Sequence, residues 1–233
     1  MKISLDSITK YADLDKKKDA RLRNVSFEAE QGEFVSIHVK TSKEKRALNE
    51  LFELDMFGAE GKVTLDGRDI GKLKPRRLSK LRRENVGYVY SEPNLIQHMS
   101  VYKNATLPLK YRHDISDDYP ALYKYAMTQC GFSEKAADEL KNKPAKELDF
   151  IAAFKTALAR AVINDPDILV AEEPTDELSG TEAGEVLGLL TKQNVLGRTL
   201  ILITSDWYTA NWADRIIKIR DGAIEEEIIT NLV

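Results

Sequence analysis

Cysteine is almost absent from this sequence: Cys130 is the single cysteine among 233 residues. One thiol cannot form an internal disulfide, which argues against the disulfide-stabilised class of secreted domains and fits a reducing compartment. A nucleophilic thiol would need an activating base. The apolar neighbours Leu122, Met127 and Phe132 instead predict a thiol packed in the core.

Long hydrophobic runs are lacking as well. The longest, residues 168–171 and 200–203, are far shorter than the roughly 20 apolar residues of a membrane-spanning helix. They have the length of buried strands. The amino terminus reaches an acidic residue at Asp6, so we predict no signal peptide. Any role at a membrane would therefore depend on a partner.

Charge of one sign is not in excess, since the formal net charge is −3. This balance gives no indication of a nucleic-acid partner. The composition, 42% hydrophobic and 31% charged, is that of a globular protein. The length allows one large domain, or a main domain with a smaller lobe.

The pattern of apolar residues predicts strands that alternate with helices. Alternating residues predict strands early in the chain, helical spacing dominates from about residue 94 to 146, and Asp66-Gly67 and Asp221-Gly222 predict hairpin turns. The predicted strands are 3–8, 22–29, 34–38, 86–90, 168–171 and 199–204, with a charged loop at 13–23; the later helices are 150–162, 181–193 and 207–213. Such alternation predicts a parallel sheet covered on both faces.

One segment is specific enough to indicate a family. Residues 168–175 read Ile-Leu-Val-Ala-Glu-Glu-Pro-Thr, which resembles the Walker B segment of ATP-binding cassette (ABC) ATPases. Other segments are similar to that family in the same order along the chain: 32–35, 86–90, 94–96, 104–109, 157–161 with 165–166, and 213–222. The segments at 94–96 and 104–109 resemble the branch that serves lipoprotein release, macrolide export and cell-division transporters. The alternative, an unrelated three-layer α/β protein, would not explain this order.

The resemblance implies an α/β fold of the ABC nucleotide-binding type, with a mostly parallel central sheet flanked by helices. It also implies an antiparallel β subdomain and an inserted helical lobe. We expect residues 1–233 to form one such domain, in which 1–90 and 147–233 are the core and 91–146 the lobe.

The segment that aligns with the Walker A loop differs from the family at the residues that hold phosphate. An ungapped match places Val39 and Glu44 at the two glycines, Lys45 at the lysine and Arg46 at the hydroxyl that binds magnesium, and residues 33–57 contain no glycine. A phosphate-binding loop needs backbone conformations that glycine adopts easily. Arg46 cannot bind a cation, so we expect no conventional Mg-ATP site and no other metal site.

The same segment is basic, with Lys40, Lys43, Lys45 and Arg46 close together. This run could form a loose anion site or a solvated basic turn, and we favour the solvated turn. Cations at a helix start are mildly unfavourable, which leaves a bound anion open.

The signature motif of the family aligns with residues 148–152, Leu-Asp-Phe-Ile-Ala. In the family this motif grips the γ-phosphate of ATP bound by the opposite subunit. Asp149 is a good helix cap, and its charge would repel that phosphate by about 4 kcal/mol at about 4 Å. Phe150 and Ile151 fill the space that glycines would leave.

Three serines align with polar residues of the family's catalytic machinery. Ser91 takes the place of the Q-loop glutamine, Ser179 that of the D-loop aspartate and Ser205 that of the switch histidine. Without the imidazole, the transition state loses a positioned donor.

Some acidic and aromatic positions remain. Glu173 aligns with the general base, whereas Glu172 replaces the usual aspartate with a side chain one methylene longer. Tyr11 aligns with the aromatic residue that stacks on adenine.

The sequence therefore favours a non-hydrolysing pseudo-ATPase that acts in assembly or regulation of a membrane transporter. Two alternatives stay open: a weakly active ATPase that uses Tyr11, Lys45, Glu172 and Glu173, and a soluble scaffold without a permease. We expect no cofactor for the pseudo-ATPase or the scaffold, and ATP with Mg²⁺ for the weakly active ATPase.

The resemblance also implies partners. We expect a membrane permease that docks in the groove near Ile96 and Met99, on the cytoplasmic face of the membrane. Leu95 and Val101 could equally be core residues of the lobe. A homodimer, or a heterodimer with an intact ABC ATPase, is a further expectation.

Overall fold

The computed structural model describes residues 1–12, 19–112 and 118–230. Part of the predicted charged loop, residues 13–18, lies outside them, as do five residues of the predicted lobe. Within the described residues the strands are β1 (Ile3–Tyr11), β2 (Ala20–Ala29), β3 (Phe34–His38), β4 (Ala59–Leu65), β5 (Arg68–Asp69), β6 (Val86–Val89), β7 (Ile168–Glu172), β8 (Thr199–Thr204), β9 (Arg215–Arg220) and β10 (Ala223–Ile229).

Six of these strands form the central sheet, in the order β10-β9-β3-β8-β7-β6. The five strands from β9 to β6 are parallel, and β10 pairs antiparallel with β9 at one edge. The carboxyl ends of β3, β7 and β8 therefore meet at one edge of the sheet, where ligands of such folds commonly bind.

The two faces of this sheet are both apolar, as a covered parallel sheet requires. In β8, Ile201 and Ile203 belong to the core cluster on one face, whereas Leu200 and Leu202 belong to the cluster on the other. Alternation of side chains along a strand explains this division. It also explains why the short apolar runs of the sequence predict strands.

A four-stranded antiparallel sheet covers one face, in the order β2-β1-β4-β5. It confirms the antiparallel subdomain predicted from the sequence. The predicted charged loop was too long, because β2 already begins at Ala20.

Helices complete both layers. Within the described residues they are α1 (Ser42–Phe52), α2 (Pro75–Asn85), α3 (Val101–Ala105), α4 (Tyr119–Gln129), α5 (Glu134–Leu140), α6 (Phe150–Val162), α7 (Gly180–Val195) and α8 (Trp207–Ala210), with 3₁₀ turns at Leu107–Tyr111 and Ala145–Glu147. Every element in the described part of residues 91–146 is helical, which agrees with the predicted character of that stretch. The boundaries at 90 and 147 stay a prediction.

Two helices differ from the sequence reading. Helix α2 was not predicted, because Leu78 and Leu81 are its only large apolar residues, and they are only half-buried against the core. Helix α8 ends at Ala210, three residues earlier than expected. In the part of the chain that the structure describes, no helix is both long and apolar enough to cross a bilayer.

Candidate functional site

The connection from β3 to α1 is short. It consists of Val39, Lys40 and Thr41, after which α1 begins at Ser42. No residue between Gly32 and Leu54 has a positive φ. The backbone thus takes an ordinary strand-to-helix turn, and most of the segment aligned with the Walker A loop is the first turn of a helix.

A capping box occupies the start of α1. The Thr41 hydroxyl accepts a hydrogen bond from the Glu44 N–H at 3.2 Å, and the Glu44 carboxylate accepts from the Thr41 hydroxyl at 2.7 Å and the Thr41 N–H at 3.3 Å. This reciprocal arrangement satisfies donors that a helix start otherwise leaves unpaired.

Glu44 is also buried, with 4% of its surface exposed. Its second carboxylate oxygen accepts a hydrogen bond from the N–H of Gly222, in the β9–β10 turn, at 2.7 Å. A negative charge at this end of a helix is favourable. The carboxylate therefore lies where the positive end of α1 would otherwise attract an anion.

Glu173 follows β7 directly and is the centre of a second set of contacts. Its carboxylate accepts hydrogen bonds from Lys45 Nζ at 2.7 Å, the Thr204 hydroxyl at 2.8 Å, the Ser205 hydroxyl at 2.7 Å and the Ser205 N–H at 2.9 Å. Its φ of 43° lies in the left-handed region, which is costly for a residue with a side chain. Four donors thus converge on one carboxylate from α1, the end of β8 and the turn after β8.

These contacts decide the charge of Glu173. Burial alone would raise the pKa of its carboxyl group, but the hydrogen bonds from Lys45, Ser205 and Thr204 outweigh burial and hold the pKa below its usual value. The carboxylate is ionised, and Lys45 compensates its charge in a largely buried ion pair. A carboxylate held in this way is a weak base.

His38, at the end of β3, supports Ser205 from the other side. Only 4% of His38 is exposed, its Nε2 lies 3.1 Å from the Ser205 carbonyl oxygen, and its ring meets Trp207 edge-on at 5.1 Å. Burial, with Lys40 and Lys218 nearby, lowers the pKa of His38. The neutral ring therefore donates its Nε2–H to Ser205, a contact that the sequence did not indicate.

The residues aligned with the signature motif begin α6. Asp149 is the N-cap, and its carboxylate accepts a hydrogen bond from the Ala152 N–H at 2.8 Å. Asp149 is exposed, while Phe150 and Ile151 are half-buried and pack against the core between the sheet and its helices. The predicted capping role of Asp149 is present in the structure.

The other residues singled out from the sequence make different contacts. The Tyr11 hydroxyl donates to Glu60 at 3.4 Å, and Arg46 donates to Glu50 at 3.1 Å. Glu172 ends β7, beside the stacked rings of Tyr88 and Tyr90. Ser91 is half-buried in the bend after β6, and Ser179 caps α7 with Glu182. The structure thus brings together Lys45, Glu173 and Ser205, and gives Tyr11, Arg46, Asp149 and Ser179 separate partners.

The apolar residues of the loop at which we expect a permease to dock differ in burial. Leu95 and Val101 are buried, which settles them as core residues, whereas Ile96 and Met99 are half-buried. The buried side chain of Asn104 holds this loop, since its Nδ2 donates to the carbonyl oxygens of Ile96 and Met99 at 3.1 and 3.3 Å.

A cavity of about 480 Å³ adjoins this loop, and neither Ile96 nor Met99 lines it. Its lining comes from three parts of the chain: Glu92, Pro93, Asn94, Leu95 and Gln97; Ala145, Lys146, Leu148, Asp149, Phe150 and Ala153; and Glu177. We call it the acidic groove, because Glu92, Asp149 and Glu177 line it with Lys146 as the one basic residue of its lining. Among the described residues no group of three histidine, cysteine or acidic side chains could hold a metal ion.

Comparison with known proteins identifies the family. A family model described as "ABC transporter" matches residues 22–176. The chain belongs to the ABC transporter family. Its predicted likeness to the branch that includes macrolide exporters is confirmed, because several of its relatives are named macrolide export proteins.

Among relatives of this ABC chain, an uncharacterized ABC transporter ATP-binding protein of Thermotoga maritima is 30% identical over 96% of this chain and 93% of its own length. The macrolide export ATP-binding/permease protein MacB of Bdellovibrio bacteriovorus is 29% identical over 97% of this chain, but the match spans only 34% of that protein. The chain therefore spans about a third of the length of that curated relative.

Solved structures confirm the fold. The ATP-binding cassette MJ0796 of Methanocaldococcus jannaschii, in a dimeric post-hydrolysis state bound to ADP and Pi, superposes with a TM-score of 0.82. It is 28% identical, and the match covers 99% of this chain and 100% of that one. The ABC-ATPase fold predicted from the sequence is thus confirmed.

Besides the His38–Ser205 contact, two features of the site were missed by sequence reasoning. The Thr41-x-x-Glu44 spacing is the sequence signature of a capping box, and it places the start of α1 correctly. Thr204 as a donor to Glu173 had no such signal, because the two residues lie 31 positions apart and meet only in the folded sheet.

Proposed function

We propose that this ABC subunit does not hydrolyse ATP and acts in assembly or regulation of a transporter. The observation that supports this most strongly is at the start of α1. The Glu44 carboxylate already caps the helix, and Lys45 already pairs with Glu173. The groups that would have to receive phosphate are used within the protein.

The fit of Mg-ATP to these residues is poor for three physical reasons. The turn after β3 has no positive-φ residue with which to curl around phosphate. The buried charge of Glu44 would repel an anion at the helix start. Arg46 points its guanidinium at Glu50 and has no oxygen with which to bind a metal.

The same reasoning applies to catalysis and to the shared sites of a pair of subunits. Glu173 accepts four hydrogen bonds and is a poor general base. Asp149 presents a carboxylate where the resemblance predicts a phosphate contact. A subunit of this kind would weaken both sites it shares with another ABC subunit.

A second function, weak ATP hydrolysis, is favoured by one observation. Lys45, Glu173 and Ser205 lie together at the carboxyl edge of the sheet, as a catalytic arrangement would require. Nucleotide would then have to displace the Lys45–Glu173 ion pair. A soluble scaffold is the third possibility.

The deciding experiment is thermal unfolding with and without millimolar Mg-ATP. We expect no saturable rise in Tm, because a ligand stabilises a protein only through affinity for the folded state. A rise that disappears in Lys45→Ala but persists in Lys80→Ala, an exposed lysine of α2, would establish the ATPase alternative. An equal rise with sulfate would indicate a loose anion site instead.

Phosphate release measures ATP hydrolysis directly. The wild type and Glu173→Gln should release phosphate at the same background rate. A wild-type rate above that of Glu173→Gln would show that Glu173 acts as a base.

Membrane attachment is a separate part of the proposal. We propose that a permease docks at Ile96 and Met99, on the cytoplasmic face of the membrane. The half-buried apolar side chains on a loop that Asn104 holds in place support this, because docking of a helix needs fixed apolar anchors.

The test is co-purification with a permease encoded beside this gene. Recovery should fall for Ile96→Asp and Met99→Asp, and stay at the wild-type level for His98→Asp, which is exposed in the same loop. Unchanged recovery of both folded variants would remove this surface and favour the soluble scaffold.

A further inference from the structure

Helix α2 presents one strongly basic side. Arg76, Lys80 and Arg83 recur at helical spacing and share this side, whereas Leu78 packs against the core on the opposite one. Arg76 and Lys80 are exposed, and Arg83 is half-buried. Among the described residues, the one ion pair of these three is a 3.8 Å contact between Lys80 and Glu84. Exposed pairs of this kind are weak. We call Arg76, Lys80 and Arg83 the basic face.

A cavity of about 210 Å³ adjoins the last turn of α2. It lies between that turn, β6 and the carboxyl end of α6, and two arginines but no acidic residue line it: Arg83, Val86, Gly87, Tyr88, Pro108, Arg160, Ala161 and Asn164. We call it the arginine cavity. A concave surface lined by charge of one sign concentrates ions of the other, so the lining favours an anion. Arg83 belongs to both the cavity and the basic face.

No carboxylate compensates the two arginines of the cavity. Arg160 donates to the carbonyl oxygens of Pro93 and Asn94, at 2.9 and 2.8 Å, and burial lowers its pKa. The guanidinium of Arg83 forms no hydrogen bond or ion pair with any residue that the structure describes. A partly buried cation without a counter-charge is costly, so an anion in the cavity would be stabilised.

Two buried atoms of the lining lack hydrogen-bond partners within the described residues, Arg83 Nε and Asn164 Oδ1. Asn164 is 7% exposed, and its Nδ2 already donates to the Arg83 carbonyl oxygen at 3.0 Å, which leaves Oδ1 as an acceptor. An unpaired buried donor or acceptor costs free energy. An occupant that carries both an anionic oxygen and a hydrogen-bond donor would complement these two atoms.

The carboxyl end of α6 is the feature that would oppose an anion here, because it carries a partial negative charge of about half an electron. Arg112 offsets it, since its guanidinium donates to the Asn164 carbonyl oxygen at 3.1 Å. Together with Arg83 and Arg160, it places three guanidinium groups at this end of the helix. The positive charge therefore exceeds the opposing partial charge.

The arginine cavity adjoins the loop at which we propose that a permease docks. Arg160 binds the carbonyl oxygens of Pro93 and Asn94, and Ile96 and Met99 follow in the same loop. A permease bound there would bring the membrane surface to this side of the protein. Helix α2 contains no aromatic residue of the kind on which nucleic-acid bases stack. This favours lipid headgroups as the phosphate-bearing partner.

We propose that α2 and the arginine cavity form a site for the anionic headgroups of phospholipids, in which Arg83 binds one headgroup phosphate beside Arg160, and Arg76 and Lys80 attract neighbouring headgroups. Arginine binds phosphate oxygens through paired N–H donors. The hydroxyl groups of a phosphatidylglycerol headgroup supply donors for Asn164 Oδ1. The inference rests on the proposed function, because it adds a direct membrane contact to a subunit that a permease attaches.

Co-sedimentation of the purified chain with vesicles tests the site without ATP or a permease. We expect binding to vesicles of phosphatidylglycerol and phosphatidylcholine in equal parts, none to phosphatidylcholine alone, and weaker binding at high salt because exposed charges are screened. No binding to the anionic vesicles at low salt would overturn the proposal. That result would leave the nucleotide and co-purification experiments untouched, so the proposals fail separately.

Charge reversal locates the surface. Arg76→Glu combined with Lys80→Glu should reduce the affinity for the anionic vesicles about tenfold or more. The control, Lys135→Glu with Lys192→Glu, makes the same charge change at exposed positions of α5 and α7 and should bind nearly as the wild type does. An equal loss in the two variants would mean that net charge alone controls binding, and would overturn the assignment to α2.

Two neighbouring arginines separate the cavity from the helix surface. Arg83→Gln and Arg82→Gln each remove one charge from the last turn of α2, but only Arg83 lines the cavity. Arg83→Gln should weaken vesicle binding about threefold more than Arg82→Gln, because a bound phosphate adds hydrogen bonds to the attraction between charges. Equal effects of the two substitutions would overturn the role of the cavity.

Inorganic phosphate distinguishes a headgroup site from a site for a free anion. We expect millimolar phosphate to leave Tm unchanged, because a membrane presents many phosphates at once and a free ion only one. A saturable rise in Tm that disappears in Arg83→Gln, without vesicle binding, would assign the cavity to free phosphate and overturn the lipid proposal. Tighter binding to duplex RNA than to the anionic vesicles would overturn it as well.

Discussion

The carboxylates at the carboxyl edge of the central sheet differ in burial from those of the acidic groove beside it. At the edge, Glu44 and Glu173 are buried, and their carboxylates form hydrogen bonds and an ion pair within the chain. In the groove, Glu92, Asp149 and Glu177 are exposed. Buried paired charges contribute to a unique fold, whereas exposed charges are available for recognition. The carboxylates at the edge are thus compensated within the chain, whereas those of the groove face solvent.

The largest loss of stability is expected when Lys45 is replaced. Lys45→Ala removes the cation and leaves the Glu173 carboxylate buried, so we expect a loss of about 2 kcal/mol in the free energy of unfolding. This is below the cost for a fully buried pair, because Lys45 is partly exposed. Urea denaturation measures it. Arg46→Ala, which removes a mostly exposed pair, is the matched control and should cost less than about 1 kcal/mol.

A smaller loss is expected at Glu44. Glu44→Ala removes the capping box of α1 and leaves the Gly222 N–H without its carboxylate acceptor, for about 1 to 2 kcal/mol. The exposed capping box of Ser179 and Glu182 at α7 provides the comparison. If Glu182→Ala costs as much as Glu44→Ala, burial at the edge contributes nothing beyond ordinary capping.

The smallest of the expected effects is a difference in the pH dependence of stability between the wild type and Glu173→Gln. The folded-state pKa of Glu173 is lowered, so its contribution is fully present above the ordinary pKa of a glutamate and is lost as pH falls through the lowered folded-state value. Below that ordinary pKa, the wild type should therefore lose stability more steeply than Glu173→Gln. Parallel curves for the two proteins would mean that the carboxylate is not held as the structure indicates.

Much of the fold could be predicted because its signals are local. The apolar runs of β7 and β8 and the Asp221-Gly222 turn each specify their own conformation. Helix α2 escaped prediction because none of its residues is fully buried, and hydrophobic periodicity is the signal on which the prediction of helices relied. Two half-buried leucines, Leu78 and Leu81, give too short a pattern to specify a helix.

For the site, the sequence predicted which residues to consider but not the contacts between them. Lys45, Glu173 and Ser205 were singled out by alignment with a family pattern, and the structure brings these three together. Their mutual hydrogen bonds could not be predicted, because they join α1 to residues that follow β7 and β8 more than a hundred positions later. His38 and Thr204 complete the arrangement from the ends of β3 and β8, and no pattern indicated them.

The central claim is that the Lys45–Glu173 ion pair occupies the place of nucleotide contacts. A double-mutant cycle measures it most directly, with Lys45→Ala, Glu173→Gln and both together, each unfolded in urea with and without millimolar Mg-ATP. We predict a coupling energy of about 1 to 2 kcal/mol that is the same in both conditions. A coupling energy near zero, or one that falls when Mg-ATP is added, would contradict the account, because it would mean that Lys45 is free to bind phosphate.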